Sequence, residues 1–138
     1  MAFSTDDDLR SMLPAIFNYG VTSFEEYHAP AEKEVARDVR RLWIPRQYRV
    51  SFSEFDRFRL EAAQWSRAAC CRVLGWHALA RLATETDTEG FVAMIATYRA
   101  EYQAELEAVI ADGVWYDTGD GLEWIESVQK AETSRIWR

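Results

Sequence analysis

The 138-residue chain is poor in the residues from which many functional sites are built. It has only two cysteines and two histidines, and it lacks a phosphate-binding glycine loop and a paired-cysteine zinc spacing, which disfavours nucleotide and zinc sites of those kinds. No run approaches about 20 uninterrupted apolar residues, so we expect no membrane partner. The start, MAFSTDDDLR, is acidic where a secretory signal would be basic and then apolar. We therefore expect the protein to be made and kept inside a cell.

The cysteines and histidines that are present do not form a recognisable site. Cys70 and Cys71 are adjacent, and because neighbours on a helix point about 100° apart, a bond between them would be strained. We interpret them as small buried or half-buried side chains, with a redox or metal role as the alternative. His28 and His77 form no i, i+4 metal pair, and His77 is typical of a structural flank residue. The sequence therefore predicts no catalytic residue, cofactor or metal, and a protein that is not an enzyme, although a triad assembled in space stays open.

Charge is distributed unevenly along the chain. The net charge is −7, yet the segment from Lys33 to Arg81 holds 11 basic and 5 acidic residues, and the remainder holds 5 basic and 18 acidic residues. A subunit that packs head-to-tail on copies of itself can use such polarity for orientation. The alternative is that arginine-rich helices simply solvate one face. Specific nucleic-acid binding is disfavoured because the whole chain is acidic.

Capping residues predict the starts of the first two helices. Thr5 with Asp8 resembles a capping arrangement for a short helix over residues 6–17. Ser23 with Glu26 forms the pattern of a capping box for the second helix. The inward face of that helix is predicted to be Tyr27, Ala31, Val35, Val39, Leu42 and Trp43.

Two longer helices are predicted to follow, and prolines modify the earlier ones. Pro14 should bend or end the first helix, and Pro30 should kink or restart the second near Ala29. The third helix is predicted to be capped by Ser53 with Asp56 and to continue to about Thr84, with Gly75 allowing a neighbouring helix to approach closely. The fourth is predicted at Glu89–Asp112. The inward positions are Phe58, Ala62, Trp65, Ala69, Val73, Trp76, Ala80 and Ala83 on the third helix, and Phe91, Ile95, Tyr98, Tyr102, Leu106, Val109 and Ile110 on the fourth.

These patterns predict an all-α fold, a small bundle built on two long antiparallel helices with an extended C-terminal tail. We expect a helical bundle domain over residues 1–112 and a docking tail over residues 113–138. The tail holds three of the six tryptophans where little of the domain remains to cover them, which is typical of a partner-binding segment. Within it, the stretch from Asp117 to Gly121 resembles part of a calcium loop, but the bidentate glutamate is missing, so a turn is predicted.

Two stretches of the chain resemble the head-to-tail connector (adaptor) proteins of tailed bacteriophages. The first is DDDLRSMLPAIFNYGVTSFEEYH, followed by an arginine-rich amphipathic helix ending in Trp43. The second is the closing pattern DGVWYDTGDG…RIWR. The resemblance covers most of the chain and carries no catalytic signature. Two departures are the interruption at Pro30 and an acidic turn that is less calcium-like than in some relatives.

The resemblance implies a structural virion protein of the neck region, made in the host cytoplasm. Such proteins form a ring, usually of twelve copies, beneath the portal protein, with a stopper or tail-completion protein on the opposite face. Double-stranded DNA would pass through without specific binding. The alternatives are a small dimeric helical regulatory or scaffold protein of a bacterial host, and an enzyme whose site is assembled across subunits.

Residue-level expectations follow from this hypothesis. Trp65, Trp76, Tyr98 and Leu106 should be largely buried between the two long helices. The tail should dock on the portal through Trp124, Ile125, Arg135, Ile136, Trp137 and Arg138. Neighbouring subunits should pair Arg37, Arg40, Arg41, Arg57, Arg59 and Arg67 with Asp6, Asp7, Asp8, Glu101 and Glu105.

Overall fold

The computed structural model describes residues 2–86 and 89–128, which form a mainly helical fold with one small two-stranded sheet. The helical class expected from the sequence is confirmed, and the sheet corrects the all-α expectation. The helices are α1 (Asp6–Met12), α2 (His28–Trp43), α3 (Ser66–Val73), α4 (Leu79–Thr86) and α5 (Glu89–Asp112). A π-helical turn, Leu74–Ala78, joins α3 to α4 without a break. Single 3-10 turns lie at Pro14–Asn18, Glu25–Tyr27, Ile44–Arg46, Arg57–Arg59 and Ala62–Trp65, and the strands are β1 (Val114–Asp117) and β2 (Leu122–Ile125).

Helix α1 begins as the sequence predicts. The Thr5 hydroxyl accepts a hydrogen bond from the Asp8 backbone N–H at 3.3 Å, and the Asp8 carboxylate accepts one from the Thr5 N–H at 2.9 Å. This reciprocal capping box satisfies two donors that a helix start leaves unpaired. The helix ends at Met12, before Pro14, and a 3-10 turn continues the predicted element.

Helix α2 begins later than the predicted capping box. The Ser23 hydroxyl donates to Asp6 Oδ2 at 2.8 Å and accepts from the Glu25 N–H at 3.2 Å, at the start of the Glu25–Tyr27 turn. The α-helix opens only at His28. Pro30 thus lies in the first turn of α2, where its missing N–H has no helical partner to lose. The predicted restart near Ala29 agrees with this start.

The third predicted helix differs from the structure in its start and its register. Residues 47–65 form turns held by contacts with the hairpin, including a bridge between Leu60 and Tyr116, so the α-helix begins only at Ser66. The π-helical turn then accommodates one extra residue and rotates the inward face. Phe58 lies in the earlier turns and is exposed, whereas Trp76 within the π-helical turn and Ala80 and Ala83 after it are only half-buried. The buried positions are Trp65, Ala68, Ala69, Cys70, Cys71, Val73, Leu74, Ala78, Leu79 and Leu82.

Helix α5 has the predicted bounds, ends at Asp112 and is followed by Gly113. The Gly113 N–H donates to the Val109 carbonyl at 3.0 Å, and its φ of +133° is a conformation that favours glycine. Four predicted inward residues of α5 are buried, and Ile95, Tyr98 and Val109 are half-buried. The backbone of Arg99 passes close to Gly75, as the sequence predicts for a close helix approach. The four buried residues are Phe91, Tyr102, Leu106 and Ile110.

The segment after α5 turns back onto the core, which corrects the expectation of an extended tail without apolar neighbours. Strands β1 and β2 pair antiparallel, and Val114, Tyr116 and Ile125 are buried. The Tyr116 ring lies 5.5 Å from the Trp43 ring, and its hydroxyl accepts from the Asp56 N–H at 3.0 Å. The turn predicted near residues 117–121 is present. Residues 129–138, which hold the last four predicted docking residues, lie outside the described residues.

The buried side chains form two clusters, one at each end of the helices. The first surrounds Trp43, Trp65 and Tyr102 and includes the hairpin; the second surrounds Leu9, Phe24 and Leu79. Among the residues predicted to form the core, Trp65 and Leu106 are fully buried, whereas Trp76 and Tyr98 are half-buried. Within the described ranges, the longest apolar helical stretch falls short of what a membrane-spanning helix requires.

Candidate functional site

The basic–aromatic surface consists of one face of α2 together with the turn that follows residue 54. It lines a shallow open cavity of about 430 Å³. Four of its eight residues are cationic and two are phenylalanines, while only one is acidic. This combination of arginine with aromatic rings is enriched at protein interfaces. The lining residues are Lys33, Ala36, Arg37, Arg40, Phe55, Asp56, Arg57 and Phe58.

Helical spacing explains how α2 presents its cations. Lys33, Arg37 and Arg41 follow one another at four-residue steps and are all exposed, whereas Val35 and Val39 lie on the buried face. Because the same helix carries an apolar stripe and a basic stripe, docking the first into the core leaves the second in solvent. The basic stripe is therefore a direct consequence of how α2 packs.

Aromatic rings hold two of these arginines in place. The Arg40 guanidinium lies 3.6 Å from the Phe52 ring centroid, and its Nε donates to the Phe52 carbonyl at 3.0 Å. The Arg57 guanidinium lies 4.5 Å from the Phe58 ring centroid. Both rings remain more than half exposed, so the cation–π pairs sit at the surface. Ordered arginines beside exposed rings lose little side-chain entropy when a partner binds.

The inner edge of this surface carries an incompletely satisfied ion pair. Glu32 is 6% exposed, and its Oε1 lies 4.0 Å from Arg57 Nε. Within the described ranges, neither of these two buried atoms has a hydrogen-bond partner. An unpaired buried polar group is unfavourable, so the Arg57 side chain has a physical reason to take a further acceptor when one is supplied.

The predicted inter-subunit residues fall into two groups. Arg37, Arg40 and Arg57 lie together on the basic–aromatic surface, but others already have partners within the chain. Arg67 lies 3.0 Å from Glu101 and 3.6 Å from Glu105 across the α3–α5 contact. The remaining pairs are Arg41 with Asp38, Arg59 with the Asp117 carbonyl, Asp6 with His28, Asp7 with Arg10, and Asp8 with Thr5. Contacts of these residues between copies stay a prediction.

The outward side of α5 forms a second surface, which we call the alanine face. Six alanines recur at steps of three or four residues along α5, and all six are exposed. Val92 beside them is 64% exposed. Unlike the buried side of α5, this face presents small side chains to solvent. The alanines are Ala93, Ala96, Ala100, Ala104, Ala108 and Ala111.

The hairpin presents a third, smaller apolar surface. Trp115 and Trp124 pair across the strands with ring centroids 5.2 Å apart, and each is 37% exposed. Of the two predicted docking residues in the hairpin, Trp124 is therefore accessible, whereas Ile125 is 4% exposed and belongs to the core. A shallow cavity beside Trp124 is also lined by Tyr48 and Val128.

A polar network that sequence reasoning missed links α2, α3 and α5. Glu34 Oε1 lies 2.7 Å from His77 Nε2 and accepts from Arg72 Nε at 3.1 Å. Arg72 also approaches Asp38, which accepts a 2.6 Å hydrogen bond from the Tyr102 hydroxyl. Partial burial raises the pKa of Glu34, but hydrogen bonds from His77 and Arg72 outweigh it, so the pKa is lowered. The sequence signal that could have revealed this network is the pair of carboxylates Glu34 and Asp38, four residues apart beside the apolar stripe of α2.

The N-terminal segment holds a second polar cluster around His28, which is 1% exposed. Its Nδ1 lies 2.7 Å from Ser4 Oγ, and its Nε2 lies 3.0 Å from Asp6 Oδ1. These are the residue types of a hydrolytic triad, but Ser4 is 2% exposed, so a substrate carbonyl has no path to its hydroxyl. We assign no nucleophilic role to it. Sequence reasoning missed the cluster because its members are 24 residues apart.

The cysteines are buried and unbonded. Burial raises the pKa of Cys70 to about 12 and that of Cys71 to about 11. Thiols of this kind are poor nucleophiles and poor metal ligands at neutral pH. The interpretation of both cysteines as buried side chains is therefore confirmed.

Three comparisons, with protein-family models, with curated proteins and with solved structures, gave no match for this chain.

Proposed function

We propose that the protein is a head-to-tail connector of a tailed bacteriophage, a structural subunit that forms a closed ring beneath the portal. The observation that carries the proposal is the presence of two unlike interaction faces on one chain. Helix α3 packs against both α2 and α5, which contact each other much less. The basic–aromatic surface of α2 and the alanine face of α5 therefore point away from different sides of α3.

Unlike faces favour a ring over a symmetric dimer. When one face of a subunit binds a different face of its neighbour, the contact is heterologous, and repetition closes a ring if the rotation permits. In this proposal the continuous run of α3, the π-helical turn and α4 acts with α5 as the pair of long antiparallel helices that forms the rigid body of each subunit. The copy number of twelve rests on the family resemblance alone.

Charge supports the pairing of these two faces. Exposed carboxylates flank the alanine face, whereas the basic–aromatic surface, which would meet it on the neighbouring subunit, is rich in arginine. Arg67 and Arg46 of the same chain already contact Glu101 and Glu107, so the acidic side is partly neutralised. Small side chains on α5 would let arginine and phenylalanine from the neighbour approach the helix closely, and exposed ion pairs would add orientation more than affinity.

The overall charge also suits a DNA conduit. The chain carries a net charge of −7. A ring of acidic subunits repels a passing polyanion, whereas each phosphate bound by a cation would add salt-dependent affinity and hinder transit. We propose that the basic residues are turned toward neighbours and the excess acid toward solvent and lumen.

Portal attachment is assigned to the C-terminal end. Trp115 and Trp124 are accessible on the hairpin, and tryptophan and arginine are frequent interface anchors. Arg135, Ile136, Trp137 and Arg138 lie beyond the described residues and complete the proposed docking element. Many weak attachments in a ring would act together as one strong attachment.

One observation favours a second function, the dimeric regulatory or scaffold protein. A stripe of alanines at helical spacing also suits close packing of α5 against α5 of another copy. In that case one face contacts itself, and the basic–aromatic surface is left for a different partner. A stable dimer with no larger species would favour this function over the connector.

The experiment combines native mass spectrometry of the purified chain with electron microscopy after mixing with a candidate portal protein. We expect a monomer or a large closed oligomer alone, and a ring on the portal in the mixture. Ala104→Arg should abolish the ring, because arginine in the alanine face blocks the neighbour. Ala15→Arg, at an exposed alanine outside both faces, is the matched control. A dimer that never joins the portal would overturn the proposal.

A further inference from the structure

We propose that Asp6, Glu25 and His28 form a binding site for a divalent transition-metal ion such as zinc. One oxygen or nitrogen from each residue can be chosen so that all three atoms lie within 4.8 Å of one another. His28 Nε2 and Asp6 Oδ1 are 3.0 Å apart, which is short enough for both to reach one ion at about 2.0–2.2 Å. This inference is independent of the connector proposal.

The fold brings the three ligands together from two helix starts. Asp6 opens α1, Glu25 opens the 3-10 turn before α2, and His28 opens α2 itself. The Phe24 N–H donates to both Asp6 carboxylate oxygens at 3.2 Å, and the Asp6 N–H donates to Glu25 Oε1 at 3.2 Å. These backbone contacts fix the carboxylates relative to each other before any ion binds.

Ser4 gives His28 the orientation of a metal ligand. Ser4 Oγ lies 2.7 Å from Nδ1, and both residues are buried, so the ring cannot turn away from the carboxylates. When Nδ1 donates its proton to Ser4 Oγ, the lone pair of Nε2 is directed toward Asp6. A hydrogen bond to the non-ligating ring nitrogen is the usual support of a metal-binding histidine.

The ligand types select the class of ion. One imidazole nitrogen with two carboxylate oxygens suits zinc and similar transition metals, whereas magnesium and calcium prefer oxygen ligands throughout. Glu25 is exposed and Asp6 half-buried, so the ion would lie near the surface and complete its coordination with water.

Zinc binding would join α1 to α2 at their first residues. Apart from this cluster, α1 is attached mainly through the apolar contacts of Leu9 and Met12. An ion that binds only the folded chain raises its stability in proportion to the logarithm of the metal concentration. The site would therefore act as a removable clamp on the N-terminal segment.

The test is isothermal titration of the full chain with zinc chloride, alongside thermal melts with zinc and with magnesium. Zinc should bind with one site per chain and raise the melting temperature, and magnesium should do neither at equal concentration. Glu25→Gln should weaken zinc binding at least ~10-fold and change the metal-free melting temperature little, because the amide oxygen of glutamine can still accept from the Asp6 N–H. Glu26→Gln removes a neighbouring carboxylate that contacts Arg81 instead, and is the matched control.

Two further measurements test whether zinc binds at His28 and not at the other histidine. His77→Gln should leave zinc binding unchanged, because His77 lies in the other polar network, with Glu34. The ring resonances of His28 should shift on zinc addition and those of His77 should not. Absence of zinc binding by the wild type, or equal affinity of wild type and Glu25→Gln, would overturn the proposal.

Discussion

The indole ring of Trp124 lies directly against Gly113. A Cβ atom at residue 113 would stand 2.4 Å from Cζ2 of that ring, well inside van der Waals contact. The glycine is thus required twice, once for the positive φ that ends α5 and once for the ring that covers it. This contact packs the hairpin against the C-terminal end of α5.

Gly113→Ala should lower the free energy of unfolding by at least about 2 kcal/mol, because it combines backbone strain with a clash. Gly119→Ala is the control: that residue also has a positive φ, but nothing lies within 4 Å of the added atom. Strain alone should destabilise it by about 1 kcal/mol. Urea denaturation of both variants measures the difference, and equal losses would show that the ring moves aside freely.

Trp65 and Trp76, both placed on the predicted third helix, should respond unequally to truncation. Trp65 is fully buried, so Trp65→Ala should destabilise the protein by about 3–5 kcal/mol. Trp76 is half-buried and its ring is in contact with the guanidinium groups of Arg72 and Arg99, so Trp76→Ala should destabilise the protein by no more than about half as much. Chemical denaturation checks the order, and a larger loss at Trp76 would contradict the register described for the π-helical turn.

Acid should weaken the network around Glu34. The folded pKa of Glu34 is lowered, so its contribution to stability is present above the unfolded pKa and is lost as pH falls through the folded value. Glu34→Gln should therefore be less stable than wild type at neutral pH, and the gap should narrow toward about pH 3. Unfolding free energies measured across that range give the comparison. A gap that stays constant would mean that the charge of Glu34 is not what stabilises the network.

Neither cysteine should react while the protein is folded. Burial raises the pKa of both thiols, so at pH about 8 almost no thiolate is present, and the sulfur atoms are covered. Labelling with a disulfide reagent should proceed only as fast as the protein opens, and at once in urea. Rapid reaction of one thiol in the native protein would place Cys70 or Cys71 at a surface.

Two truncations separate the hairpin from the terminal residues. Deleting residues 132–138 should leave the melting temperature nearly unchanged and abolish attachment to the portal. Deleting everything from Gly113 should instead destabilise the fold, because Val114, Tyr116 and Ile125 leave the core. Melts of both chains and a binding assay of the shorter deletion provide the measurements. Normal portal attachment after removal of residues 132–138 would show that docking lies elsewhere.

Local signals predicted the start of α1 and both ends of α5. The bounds of α5 and the capping box of α1 depend on neighbouring residues only, and both are found as predicted. The start of α3 depends on contacts of residues 47–65 with the hairpin, and these contacts are far apart in sequence. A strand of four residues such as β1 has too weak a pattern to be predicted beside so many helices.

The candidate sites show the same contrast between local sequence patterns, which could be predicted, and contacts between distant residues, which could not. The basic stripe of α2 was visible as a periodic pattern, whereas the partners of Arg67 and Asp6 depend on which helices meet. The cluster at His28 joins residues from two helix starts, and no spacing rule connects Ser4 to His28. Periodicity shows which side of a helix faces inward, but not which side chains meet there.

The π-helical turn at Leu74–Ala78 determines which side of α4 faces inward. The wider turn leaves the Gly75 carbonyl accepting from Arg99 Nε at 3.0 Å, a contact with the neighbouring helix. If these residues formed an ordinary α-helix with none removed, α4 would be rotated by about 100° about its axis. Leu79 and Leu82 would then swing from the interior toward water. The one extra residue in this short turn therefore determines which side chains of α4 pack into one end of the hydrophobic core.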